Sequence, residues 1–190
     1  MFIMPERISE SITSIKRHID GTPTLINCSI KEGCTVENSI IEGYGTIIID
    51  KNFINEMLTI TNNNRLPSNL IELLMRLNSI VNDYFYSSST NNKSRIEIYE
   101  EFAVIDSEGM LTGTKISSLK GKNVALCSEK SIAVYILNKN LYKKGIITRK
   151  PTMILSTLRT EKTSNEPHAF VLIDKEDDEY PTKHLLYDIQ

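Results

Sequence analysis

Between Asn69 and Phe85 a single apolar stripe dominates the chain. Leu70, Leu73, Leu74, Leu77, Ile80, Val81 and Phe85 recur at i, i+3, i+4 and i+7 spacing, with polar residues between them. That period predicts an amphipathic helix, and its apolar face demands a second layer of structure to bury it. Pro67-Ser68-Asn69 supplies the start signal. A core helix is the expectation here, ahead of any groove-binding role. A further helix is predicted from Cys127 onward. Ile132, Ala133, Ile136, Leu137 and Leu141 give it a buried side, and Lys143-Lys144-Gly145 give it a C-terminal stop. Ala169-Phe170-Val171-Leu172-Ile173, by contrast, is a short unbroken apolar run and reads as a buried strand.

These signals point to an α+β fold. The helix bearing Cys127 is expected to lie on an antiparallel sheet built from strands around 96–105, 152–158, 168–174 and 184–189. Arg95 to Asp106 enters that list because Ile96, Ile98, Phe102, Val104 and Ile105 alternate with acids. The 190 residues suffice for one domain with a modest appendage. Ser87-Ser88-Ser89-Thr90-Asn91-Asn92 is the expected connector, dividing an accessory lobe (1–92) from a chemistry-bearing portion (93–190).

Within the first portion, Ile8, Ile12, Ile15 and Ile19 predict an amphipathic helix over residues 6–19 that ends at Asp20-Gly21, with His18 near its polar side. From Thr24 to Asp50 the pattern changes to short strands punctuated by Gly33, Gly43 and Gly45. Asn27-Cys28-Ser29-Ile30-Lys31-Glu32-Gly33 and Asn38-Ser39-Ile40-Ile41-Glu42-Gly43 resemble a left-handed β-helix hexapeptide array. The likeness covers little more than one coil, and a solenoid needs several stacked coils. A small meander or hairpin pair is expected instead, with a short helix over 52–58 after it.

Charge and cysteine usage narrow the function classes. A net charge of −2 with no basic cluster argues against a nucleic-acid surface. No apolar run approaches the roughly 20 residues that span a bilayer. The N-terminus lacks a basic segment followed by an apolar one, so a cytoplasmic fold without signal peptide is expected, with delivery by a signal-independent system left open. Cys28, Cys34 and Cys127 form no C-x-x-C pair and the three histidines are scattered, so neither a metal site nor a cofactor is expected. Cys28 and Cys34 read as small buried hydrophobes. Asp106 and the acids of 174–179 read as solvated.

Cys127 differs from the other two. At a helix start, backbone N–H groups and the helix dipole stabilise a thiolate and can hold an oxyanion. Glu129 and Lys130 lie in the same turn, one opposing the thiolate and one favouring it. His168 follows Pro167 at the mouth of the apolar strand, where it can serve as general base. Asp188, on the strand that returns from the acidic loop, can orient the imidazole. His184 is a weaker rival base, and Asn123 is a candidate oxyanion donor upstream of the cysteine.

Cys127-Ser128-Glu129-Lys130-Ser131, His168-Ala169-Phe170 and Tyr187-Asp188, in that order, resemble the transglutaminase-like branch of the papain-like cysteine enzymes. The likeness covers about residues 120 to 190. It implies Cys127 as nucleophile, His168 as base and Asp188 as orienting acid. It also implies cleavage or transfer of an amide of a protein substrate through a thioester. Proteolysis stands ahead of transglutamination or glutamine deamidation, with a non-enzymatic protein-binding module as the competing class. Similar domains include bacterial effectors, which makes a host protein a candidate substrate. The sequence departs from the family by having Ala125-Leu126 where a glycine often precedes the cysteine, by lacking tryptophan, and by ending soon after Asp188.

Overall fold

A computed structural model of the chain describes residues 2–3, 19–25, 35–37, 46–63, 65–88, 93–148, 150–158, 166–173 and 185–188. They form an α+β fold with two sheets. The order along the chain is β1 (Phe2–Ile3), β2 (Ile19–Leu25), β3 (Thr35–Glu37), β4 (Thr46–Ile48), α1 (Lys51–Asn63), α2 (Leu70–Phe85), α3 (Arg95–Glu101), β5 (Ala103–Ile105), β6 (Leu111–Lys115), a 3₁₀ turn (Ile116–Leu119), α4 (Cys127–Lys143), β7 (Pro151–Leu158), β8 (Glu166–Ile173) and β9 (Leu185–Asp188).

The larger sheet has five strands in the order β1-β9-β8-β7-β2, every neighbouring pair antiparallel. The second has four, in the order β3-β4-β6-β5, and is mixed because β4 runs parallel to β6. The helix α4 lies between α1 and α2 on one side and β7 and β8 on the other. Its position explains its sequence. Residues Ser131 through Asn138 are all buried, so α4 has no solvent face over that stretch.

The stripe predicted over 70–85 is α2, and Leu73, Leu74, Leu77, Val81, Tyr84 and Phe85 enter the core from it. Asn69 caps it, its Oδ1 accepting from the N–H groups of Ile71 (2.9 Å) and Glu72 (3.2 Å). The helix expected over 52–58 is longer, 13 residues, and Asp50 caps it in the same way. Phe53 from α1 meets the Tyr84 ring edge-on at 5.6 Å, which locks α1 to α2.

Three expectations are corrected. Arg95–Glu101 is the helix α3 and not a strand, because Ser94 and Glu97 form a reciprocal capping box: the Ser94 N–H donates to Glu97 Oε2 (2.6 Å) and the Glu97 N–H to Ser94 Oγ (3.3 Å). The strand that follows, β5, belongs to the smaller sheet rather than to the sheet under α4. The residue Ile19, assigned above to the N-terminal helix, opens β2 and pairs with Leu158. Residues 6–18 lie outside the described residues, as do Cys28, Cys34, His184 and the acids of 174–179.

One core unites both sides of the expected 87–92 connector. Ile47, Phe53, Leu74 and Leu77 share it with Ile132, Leu137, Val171 and Ile173. The β3–β4 hairpin likewise completes its sheet with β6 and β5, from beyond the connector.

Candidate functional site

Cys127 is the first residue of α4 and is half-buried. The residue in the capping position is Leu126, in extended conformation (φ −109°, ψ −161°) and without an acceptor. The Leu126 side chain therefore receives none of the first-turn N–H groups. Instead Glu129, on the third helical residue, reaches back: its Oε2 accepts the Leu126 N–H at 2.9 Å.

That carboxylate is fully buried and is matched by charge and by hydrogen bonds. Arg95 Nη2 donates to Glu129 Oε1 at 2.5 Å, and the Tyr99 hydroxyl donates to the same oxygen. The pair's side chains are 15% and 0% exposed, so water does little to screen it. Arg95 Nη1 also donates to the Val124 carbonyl, and its guanidinium lies over the Tyr99 ring, 4.8 Å from the centroid. Arg95 and Tyr99 thus brace both the loop before Cys127 and the carboxylate two residues after it. Lys130, next along the helix, is held below the usual lysine range by burial, with Glu129 and the Cys127 thiolate acting the other way.

The approach to Cys127 is anchored at the end of α2. Gly121 and Asn123 both take left-handed backbone conformations (φ +64° and +60°), and their N–H groups donate to the carbonyls of Tyr84 and Phe85, each at 3.0 Å. The Asn123 side chain then brackets Ser87: its Oδ1 accepts the Ser87 N–H at 2.7 Å and its Nδ2 donates to the Ser87 carbonyl at 2.9 Å. An amide engaged on both atoms is anchoring the loop. The Nδ2 group keeps a second N–H beyond the one that the Ser87 carbonyl receives.

His168 is the third residue of β8 and sits opposite Ser156 of β7. The β8–β9 register runs Ile173↔Leu185, Leu172↔Leu186 and Val171↔Tyr187, and continuing it sets Asp188 opposite Phe170. Positions 168 and 188 therefore share one face of the sheet, a diagonal step apart. Ser131 Oγ, one helical turn beyond Cys127, donates to the Ala169 carbonyl at 2.9 Å. This bond ties the start of α4 to the residue that follows His168. Ala169, Val171 and Ile173 are fully buried in the core that α4 shares. Strand alternation assigns positions 168 and 188 to the other face. The side chains of His168 and Asp188 lie outside the described residues.

Sequence reasoning missed Arg95 and Tyr99. The available signal was Ser94-x-x-Glu97, which makes 95–101 helical and aligns Arg95 with Tyr99 at i, i+4. Among the described residues, no group of three or more His, Cys, Asp or Glu is gathered to hold a metal ion, and no helix is long and apolar enough to cross a membrane. No protein-family model, curated protein or solved structure matches the chain.

Proposed function

We propose that the chain is a cysteine-dependent enzyme with a papain- or transglutaminase-like core, acting on an amide of a protein substrate. In this reading the Cys127 thiolate attacks the amide carbon, and the N–H groups at the start of α4 hold the resulting oxyanion. The C–N bond breaks as His168 returns the thiol's proton to the leaving amine, with Asp188 orienting the imidazole. Water or a second amine then releases the acyl group from the thioester. Hydrolysis of a main-chain amide, which is proteolysis, is placed ahead of transfer to an amine and of glutamine deamidation. A host protein as substrate, reached by signal-independent delivery, rests on the resemblance alone.

The observation that carries the proposal is the Ser131–Ala169 hydrogen bond. It bridges the first turns of α4 and the strand position next to His168, while Asp188 stands a diagonal step from that histidine. Strand alternation favours a second reading, a protein-binding module. There positions 168 and 188 lie on the face of the sheet opposite to the one that α4 covers.

Alkylation of the folded protein near neutral pH separates the two. The enzymatic reading expects Cys127 to label faster than Cys28 and Cys34, and His168→Ala to abolish that lead. Uniformly slow labelling sinks it, and a fast Cys127 indifferent to His168 supports the second reading. Incubation with candidate proteins then distinguishes cleavage, deamidation and crosslinking by mass.

A further inference from the structure

The helix α2 carries a second line of residues beside the face that enters the core. Ile71, Met75 and Tyr86 on this line are 41%, 54% and 65% exposed. Asn78 and Asn82 stand between them, and Asn82 Nδ2 donates to Asn78 Oδ1 at 3.3 Å. Apolar residues exposed singly need no explanation, but several along one line of a helix mark a contact surface. The positions 71, 75, 78 and 82 step by four, three and four, which is the seam period of paired helices. Tyr86, at the C-terminal cap, ends the line.

We propose that a second copy of this chain docks on the line, with the two α2 helices antiparallel about a two-fold axis level with Ile80. The charges beside the line favour this occupant. Arg76 and Asp83 are both exposed, and neither makes an ion pair among the described residues. They stand seven residues apart, close to two full turns, so they share one flank of the line. Arg76 is four residues before Ile80 and Asp83 is three after it. Reversing one helix upon the other therefore brings Arg76 of each copy to within about 1.5 Å in height of Asp83 of the other. The charges of this flank are complementary to themselves, as a two-fold contact requires.

The same operation sets Asn78 opposite Asn82 of the second copy and Met75 beside its Tyr86. The bond within each copy leaves Asn78 Nδ2 and Asn82 Oδ1 for a neighbour, a donor facing an acceptor across the axis. A polar layer at the centre of an apolar seam fixes register and orientation. Glu72, the remaining exposed charge on α2, falls at the rim. One helix from each copy makes a contact of the weak, reversible class. The proposal requires nothing of Cys127.

Sedimentation equilibrium of the full chain under reducing conditions, from about 10 µM to about 1 mM, tests it. The apparent mass should rise with concentration toward twice that of the monomer. Met75→Lys, at an exposed position, should abolish the rise and leave thermal unfolding unchanged. Arg76→Asp and Asp83→Arg should each weaken association about tenfold, because each sets like charges against one another at both ends of the seam. Mixed in equal amounts, the two single variants should associate with each other as tightly as the parent does with itself, since opposite charges then meet at both ends. The double variant Arg76→Asp/Asp83→Arg should likewise regain the parent's association. A chain that stays monomeric throughout the range overturns the proposal and leaves the line to a different partner. Association that ignores Met75→Lys, or that neither the mixture nor the double variant restores, overturns it too, because the copies would then meet on another surface or in another register.

Discussion

The helix starts of this molecule fall into two kinds. The helices α1, α2 and α3 begin with Asp50, Asn69 and Ser94, polar side chains that accept the first-turn N–H groups at the surface. The start of α4 has a leucine in that place and relies on a buried carboxylate, an arginine and a tyrosine from α3 to hold the same stretch of backbone. The first arrangement uses the N–H groups for stability. The second holds the Leu126 N–H through Glu129, while the Leu126 side chain itself caps nothing. A helix start intended only to be stable gains nothing from this, since burying two charges is costly.

The largest expected effect tests whether the α4 start is held by the buried pair at all. Arg95→Met strands a fully buried carboxylate, and stability should fall by about 3–5 kcal/mol, measured as the urea midpoint. Adding Glu129→Leu should recover most of that loss, because the uncompensated charge goes with it. If Arg95→Met cost only as much as an ordinary cap, the two kinds of start would be energetically alike.

The next effect concerns the loop before α4. Asn123→Ala removes both bonds to Ser87 and leaves at the left-handed position a side chain without the polar group that lets asparagine adopt it, for a loss of about 2 kcal/mol in thermal or urea unfolding. Asn123→Gly should lose less, since glycine tolerates the positive φ. Equal losses in the two variants would mean that the hydrogen bonds alone matter. At the surface starts, Asn69→Ala and Ser94→Ala should each cost about 1 kcal/mol in the same assay. Neither should alter the alkylation of Cys127, which confines the chemical consequence to α4.

Much of the fold was legible where one residue type and one period agreed. The 70–85 stripe, the helix opened by Cys127 and the three strands near 151–158, 166–173 and 185–188 are of this kind. Legibility failed at Arg95–Glu101, where apolar residues alternate in sequence yet only Ile98 and Tyr99 are buried. There the local capping box outweighs the alternation. It failed again for the second sheet, whose β4–β6 pairing joins residues far apart in the chain. Of the candidate site, the placement of Cys127 on the first turn was readable from caps and period. Glu129 and Lys130 were visible as charges but not as a buried pair member and a desolvated amine. Arg95 could not be attached to Glu129, because an ion pair between distant segments leaves no spacing to read.

Lys130→Met has the smallest expected effect on stability and a distinct effect on reactivity. Burial lowers the folded-state lysine below its ordinary value of 10.5, with Glu129 and the Cys127 thiolate pulling back. Between the two values the unfolded chain binds more protons than the folded one, so stability rises with pH across that alkaline window. Below the window the ammonium is charged in both states and the full desolvation penalty applies. Methionine keeps the aliphatic bulk and removes the penalty. Unfolding at neutral pH should shift by no more than a few tenths of a kcal/mol toward greater stability, because solvent reaches part of the side chain. The rise in stability with alkaline pH should flatten. The same change takes a positive charge from beside the thiolate, so Cys127 should label several-fold more slowly at neutral pH. A variant that is slightly more stable and a less reactive thiol would separate what holds the α4 start from what activates it. Unchanged labelling would place the Lys130 ammonium outside the thiol's field and leave the thiol to the helix start alone.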